Sequence, residues 1–242
     1  MTFHALALPE QLLIARRGTA YLSQRIAELT DAEFDEATLL HGWTRRHLIA
    51  HTAYNALALC RLLDWAVTGE ETPMYASAEQ RSREIADGAT LNAGALRNLF
   101  AHSCARLDEK WRHLPDTAWR EIVRTAQGRQ VPAGETVWMR SREVWIHAVD
   151  LDNGGRFGDF PAPVLDSLLT DIVRTWRTRG DGAGLVLAVD GREPIPVDDT
   201  AATTTITGTL PAVVRWAAGR GAIGLRSAGR QSDTVPAAPR WL

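Results

Sequence analysis

Residues 42–56 read GWTRRHLIAHTAYNA and residues 138–151 read WMRSREVWIHAVDL. The first belongs to a stretch with apolar residues at helical spacing, from about Thr44 to Thr68, and Gly69 is placed to end it. The second belongs to a helical stretch of roughly Glu135 to Leu151. His47 and His51 stand four apart in one, Glu143 and His147 four apart in the other. Four residues advance a helix about 40° beyond a full turn and about 6 Å along its axis, so each pair shares a face.

Working outward, residues 9–29 open with Pro9, a residue suited to a first helical turn, and keep helical spacing. A Ser77…Gln80 capping pattern starts a further helical stretch to about Leu114, with an interruption expected at Asp87-Gly88. Four helices with substantial connections predict a four-helix bundle with at least one long crossover. The composition then changes. DNGGRFGDFPAP, residues 152–163, has the character of a linker. Beyond it come an amphipathic helix over 163–179, strands in LVLAVDG and TTTITGTL, a short helix Leu210–Ala218 and an extended tail, SDTVPAAPRWL. The expected organisation is α+β: a helical-bundle domain over 1–153 and a small C-terminal domain over 154–242.

The chain has 242 residues with 45% apolar and 23% charged side chains, the balance of a soluble globular protein. A formal charge of −2 excludes a strongly basic nucleic-acid binder or a polybasic membrane-surface protein. Lys110 is the only lysine, which favours arginine wherever an anion must be held by a two-pronged fork. Cys60 and Cys104 are too few for a disulfide framework or a cysteine zinc site, and both read as buried structural thiols. Neither a signal peptide nor a membrane span is legible, and a cytoplasmic protein is expected.

The histidines and Glu143 leave several readings open. A metal can bridge one i, i+4 pair, or take one ligand from one helix and two from the other. Alternatively, His51 is a core histidine satisfied by a hydrogen bond, and Glu143 pairs with Arg140 or Arg142. An ionisable His and Glu facing apolar core are costly unless paired or coordinated, which favours the metal. His47 competes with His51 as ligand, or contacts substrate. Asp150 is placed for a hydrogen bond to a ligand, and Asn55 for the same pocket. Gly219 to Gly224 matches G-x-G-x-x-G, but it follows helix-like VVRWAA with 18 residues left, which leaves no room for a dinucleotide-binding unit. The tryptophans, Trp43, Trp138 and Trp145 among them, read as core and pocket walls.

GWTRRHLIAHTAYNA, RSREVWIHAVDL, WAAGRG and the tail APRWL, taken together and in this order, resemble the mycothiol-dependent maleylpyruvate isomerases, a branch of the DinB-like four-helix metalloproteins. The resemblance runs over essentially the whole chain. It implies a DinB-like bundle followed by a small α/β-type domain, zinc held by His51, Glu143 and His147, and a catalytic arginine, Arg220, supplied by the second domain. It further implies mycothiol as thiol co-substrate and the cis-to-trans isomerisation of maleylpyruvate to fumarylpyruvate in gentisate-type catabolism. A mycothiol-dependent S-transferase on the same site is the rival enzyme. A helical binding protein with a structural or absent metal is the non-catalytic alternative. No nucleic-acid or membrane partner is expected, and a monomer is.

Overall fold

Helix α1 spans Leu8–Ala27, with Pro9 in its first turn, where no amide hydrogen is needed, and Glu10 accepting from the Ala7 N–H at 3.1 Å. Helix α2, Arg45–Thr68, is capped by Thr44 and stopped by Gly69, whose φ of +76° is the left-handed conformation a helix C-terminus favours. Helices α3 (Ala78–Ala89), α4 (Ala93–Arg112) and α5 (Glu135–Asp150) follow. In this computed structural model, which describes residues 1–229 and 234–241, the chain divides into two compact units. One is Ala7–Gly155. The other joins Met1–Leu6 to Arg156–Leu242.

In the helical unit, α1, α2, α4 and α5 form the bundle, with α1 against α5, α2 against α4, and α2 also against α5 and α3. Covered on several sides at once, α2 buries residues around most of its circumference, from Leu48 and Ile49 to Leu62 and Leu63. The expected interruption at Asp87-Gly88 falls later, at Thr90–Asn92, where Asn92 caps α4 by accepting from the Ala95 N–H at 2.8 Å. Gly88 is not a breaker. It is buried inside α3, and a Cβ there would stand 2.7 Å from the Tyr54 ring and 2.9 Å from Ala50 Cβ, so the glycine lets α3 approach α2. Between α4 and α5 lies a small hairpin that the helical spacing does not reveal. Its strands, β1 (Ile122–Arg124) and β2 (Gln130–Pro132), are three residues each, too short to show a period.

The second unit begins with Phe3, fully buried, whose N–H donates to Ser167 Oγ at 2.8 Å. The N-terminal six residues therefore belong here and not with the bundle, and the boundary falls after Gly155. The expected linker is not solvated throughout: Phe157 and Phe160 are buried and stacked, with ring centroids 4.7 Å apart. Helix α6, Ala162–Arg179, precedes a sheet of order β4-β3-β5-β6, in which β3 (Leu185–Val189) and β5 (Thr204–Gly208) run parallel. The antiparallel edges are β4 (Ile195–Pro196) and β6 (Arg226–Gly229), neither expected from sequence. Helix α7, Leu210–Ala217, ends in a Schellman turn: the Gly219 N–H bonds the Trp216 carbonyl and the Arg220 N–H the Arg215 carbonyl, with Gly219 at φ +79°. The G-x-G-x-x-G stretch thus leaves a helix and leads into β6, which is not a dinucleotide site. The tail is tied down by indoles, Trp176 donating to the Pro239 carbonyl at 3.1 Å and Trp216 to that of Pro236 at 2.7 Å. Of the expected tail, Ser232, Asp233 and Leu242 lie outside the described residues. Among the described residues no helix is long and apolar enough to cross a membrane.

Candidate metal centre

His51 on α2 and Glu143 and His147 on α5 meet in the bundle interior, their ligand atoms all within 4.8 Å of one another. Glu143 Oε2 lies 3.0 Å from His51 Nε2 and 3.2 Å from His147 Nε2. Ligand atoms around a tetrahedral zinc, each about 2.0–2.1 Å from the ion, stand roughly 3.3 Å apart, so these separations suit one ion. The two imidazoles meet edge to face with centroids 5.0 Å apart, and Trp43 closes one side with its ring 5.3 Å from His51.

His147 is oriented from behind. Its Nδ1–H donates to Asp150 Oδ2 at 2.9 Å, and Asp150 is fully buried. The ring is thereby held with Nε2 toward Glu143, as in carboxylate–histidine–metal relays. In the metal-free chain, burial opposes the charged form of His147, but the hydrogen bonds to Asp150 and Glu143 outweigh it and raise its pKa to about 9. Burial also pushes the Glu143 carboxyl up; the hydrogen bonds from His147 and His51 win and hold it well below the usual carboxylate range. For His51 burial dominates, and its pKa is lowered. The metal-free cluster thus holds a half-buried carboxylate beside a neutral and a charged imidazole, with Asp150 behind, and offers a divalent cation two carboxylates once His147 gives up its proton.

Arg45, which the sequence reading missed, ties the start of the helix that carries His51 to the end of the helix that carries Glu143 and His147. It is 5% exposed, and its guanidinium donates to the Leu151 carbonyl at 2.8 Å, the Asp152 carbonyl at 3.0 Å, the Glu33 carbonyl at 3.1 Å and Glu36 Oε2 at 2.7 Å. It pins the start of α2 to the unpaired carbonyls that follow α5. Only its place in the first turn of α2 signals this role, since an arginine there has no favourable helix-dipole term.

The other candidates separate. His47 is spent on capping: its Nδ1 faces the Thr44 N–H at 3.3 Å and Thr44 Oγ1 at 2.8 Å. Asn55 accepts from Arg140 at 3.1 Å, and Arg140 also donates to the Thr52 carbonyl and to Cys104 Sγ, so neither Asn55 nor Arg140 serves the cluster. Cys60 is buried, and burial pushes its thiol up to about 11. Cys104, expected buried, is half-exposed. Trp138 and Trp145 are core, as expected. Arg220 lies in the second unit between Gly219 and Gly221, half-buried, its guanidinium bonded to the Ala218 carbonyl.

Two helices that bring two histidines and a glutamate together inside a bundle define a helical-bundle protein with a candidate metal centre. The model of the mycothiol maleylpyruvate isomerase N-terminal domain matches residues 15–152. A solved structure of a mycothiol-dependent maleylpyruvate isomerase is 52% identical, covers 100% of both chains and superposes with a TM-score of 0.95; a histidine-to-alanine mutant of a mycothiol-dependent maleylpyruvate isomerase gives the same figures. YfiT of Bacillus subtilis, described as a probable metal-dependent hydrolase with an unusual four-helix bundle topology, is 21% identical with a TM-score of 0.47, covering 60% of this chain and 85% of its own. No curated protein sequence matches significantly. The chain belongs to the mycothiol-dependent maleylpyruvate isomerase family.

Proposed function

We propose that this protein isomerises maleylpyruvate to fumarylpyruvate with mycothiol as thiol co-substrate and zinc as its metal. The observation that carries this reading is the interior His51–Glu143–His147 cluster, with His51 buried and the other two half-buried, in a chain 52% identical over its full length to an enzyme of that description. Two imidazoles and one carboxylate are a donor set typical of catalytic zinc, which with three protein ligands retains an open position and would keep a thiol deprotonated near neutral pH.

The chemistry requires the double bond to be lost and remade. A thiolate adds to the alkene, the electron pair moves into the conjugated carbonyl as an enolate, the new single bond rotates, and expulsion of the thiolate restores a trans alkene. Nothing is consumed, and the thiol is returned unchanged. The protein's own residues supply the setting: Asp150 fixes the His147 ring, Arg45 fixes the helices, and Trp43 shields one side of the cluster. Cys60, with its thiol pushed up, is a poor nucleophile, and Cys104 is engaged by Arg140 away from the cluster, so the thiol is assigned to come from outside. Arg220 is our candidate for the guanidinium that stabilises the enolate or grips a carboxylate. Ring-fission catabolism of gentisate-type acids is the setting we assign, with a cytoplasmic monomer as the working form.

The test follows the ultraviolet absorbance of maleylpyruvate with zinc-loaded protein, with and without mycothiol, with the product identified. Thiol-dependent fumarylpyruvate formation with recovered thiol supports the isomerase. A stable thiol adduct identifies the S-transferase instead, and no reaction at all overturns both.

A further inference from the structure

Arg81 stands next to the metal centre and has no place in the coordination set. It lies in the first turn of α3, half-buried, with one guanidinium nitrogen 3.3 Å from His51 Nδ1 and its Cζ 5.8 Å from the centroid of the Tyr75 ring. Its guanidinium also faces the Tyr75 hydroxyl as a hydrogen-bond donor, and among the described residues it has no carboxylate partner.

A guanidinium only donates, so His51 Nδ1 must accept, and the ring's single proton sits on Nε2 facing Glu143. Coordination through Nε2 requires the opposite tautomer, with the proton on Nδ1 and an acceptor beyond it. His147 has that acceptor in Asp150, whereas His51 has a donor. The contact between Arg81 and His51 and a metal on His51 Nε2 are therefore mutually exclusive. A metal on Nε2 would turn an N–H toward the guanidinium and release it, leaving an arginine without an anion at the edge of the site.

We propose that Arg81, backed by Tyr75, is the carboxylate-binding subsite of this centre. The inference rests on the isomerase reading. In maleylpyruvate the alkene carbon that is β to the ketone, and so open to thiolate addition, also bears the maleyl carboxylate. That carboxylate lies two bonds from the incoming sulfur and cannot be far from the ligand residues. A guanidinium in contact with a ligand histidine is within reach of it and offers a two-pronged donor edge that a carboxylate matches. A residue that merely supported His51 would accept from it; Arg81 donates, so its service is to a ligand and not to the metal.

The experiment compares wild type with Arg81→Met, Arg81→Lys and, as a control on the exposed side of the same helix, Arg83→Met. Metal content, helical signal, maleate binding by calorimetry to the zinc-loaded protein without thiol, and steady-state kinetics are read together. In Arg81→Met, maleate affinity should fall roughly tenfold to a hundredfold, and KM for maleylpyruvate should rise in step. KM for mycothiol and zinc content should hold, Arg81→Lys should recover part of the loss, and Arg83→Met should change nothing. Loss of zinc in Arg81→Met, unchanged maleate affinity, or a wild type that binds no maleate overturns the proposal. If wild type binds maleate through Arg81 but does not isomerise maleylpyruvate, the subsite stands and the isomerase reading falls.

Discussion

Loading a divalent metal on this cluster should expel one proton near neutral pH, and His147 is the source. Its pKa in the metal-free fold is about 9, raised above the ordinary value near 6.5 by Asp150 and Glu143. The sign follows: in the metal-free protein the proton on His147 contributes stability that is fully present below about pH 6.5 and disappears as pH rises through about 9. A metal must displace that proton. At pH 7 that proton still occupies Nε2, a handicap of roughly a hundredfold in metal affinity. Zinc affinity should therefore climb about tenfold per pH unit from 7 to about 8.5 and level off above 9. His51, lowered by burial, and Glu143, held well below the carboxylate range, are already deprotonated and give up nothing. Calorimetry of zinc uptake at pH 7 in two buffers of different ionisation heat counts the protons directly. One proton per zinc is expected. A count of zero, or an affinity flat between pH 7 and 8.5, would refute the assignment of the proton to His147, and a count of two would place His51 on the protonated side.

Two histidines one turn apart should behave oppositely. His51→Ala should lose zinc and activity with its helical signal intact, whereas His47→Ala should keep zinc and lose about 1 kcal/mol of stability in a denaturant melt, the worth of a helix cap. Arg220→Ala should retain zinc and lose turnover; loss of the metal instead would place that arginine among the ligands. Gly88→Ala, whose Cβ would stand 2.7 Å from the Tyr54 ring, should cost roughly 1–3 kcal/mol by thermal melt, and unchanged stability would mean α3 can shift freely on α2.

Several helices were legible because they carry their own punctuation, Pro9 at a start, Ser77 at a cap and Gly69 at an end, whereas the cap at Asn92 was missed and the break was expected at Asp87-Gly88 instead. Two-residue and three-residue strands carry none, and β1, β2 and β4 become strands only through partners elsewhere in the chain. At the cluster, i, i+4 spacing placed His51, Glu143 and His147 on suitable faces, but it gave His47 equal standing. Only the geometry at Thr44 shows that His47 Nδ1 is already engaged. Arg45 and Arg81 were illegible for a related reason. Nothing in RRHLIAH or SAEQRSRE distinguishes a solvated arginine from one whose partners lie on another helix.

The buried Phe3 and its bond to Ser167 make the helical unit, in chain order, an insertion between residues 6 and 156 of the other. The second unit must wait for about 150 intervening residues to be synthesised before its first and later parts can meet, and closing so long a loop carries an entropic cost that grows slowly with length. The bundle, whose contacts all lie within a continuous segment, has no such wait and is free to fold on the ribosome first. Folding order would then be written into the topology: His51, Glu143 and His147 would be in place before the unit that carries Arg220 is complete.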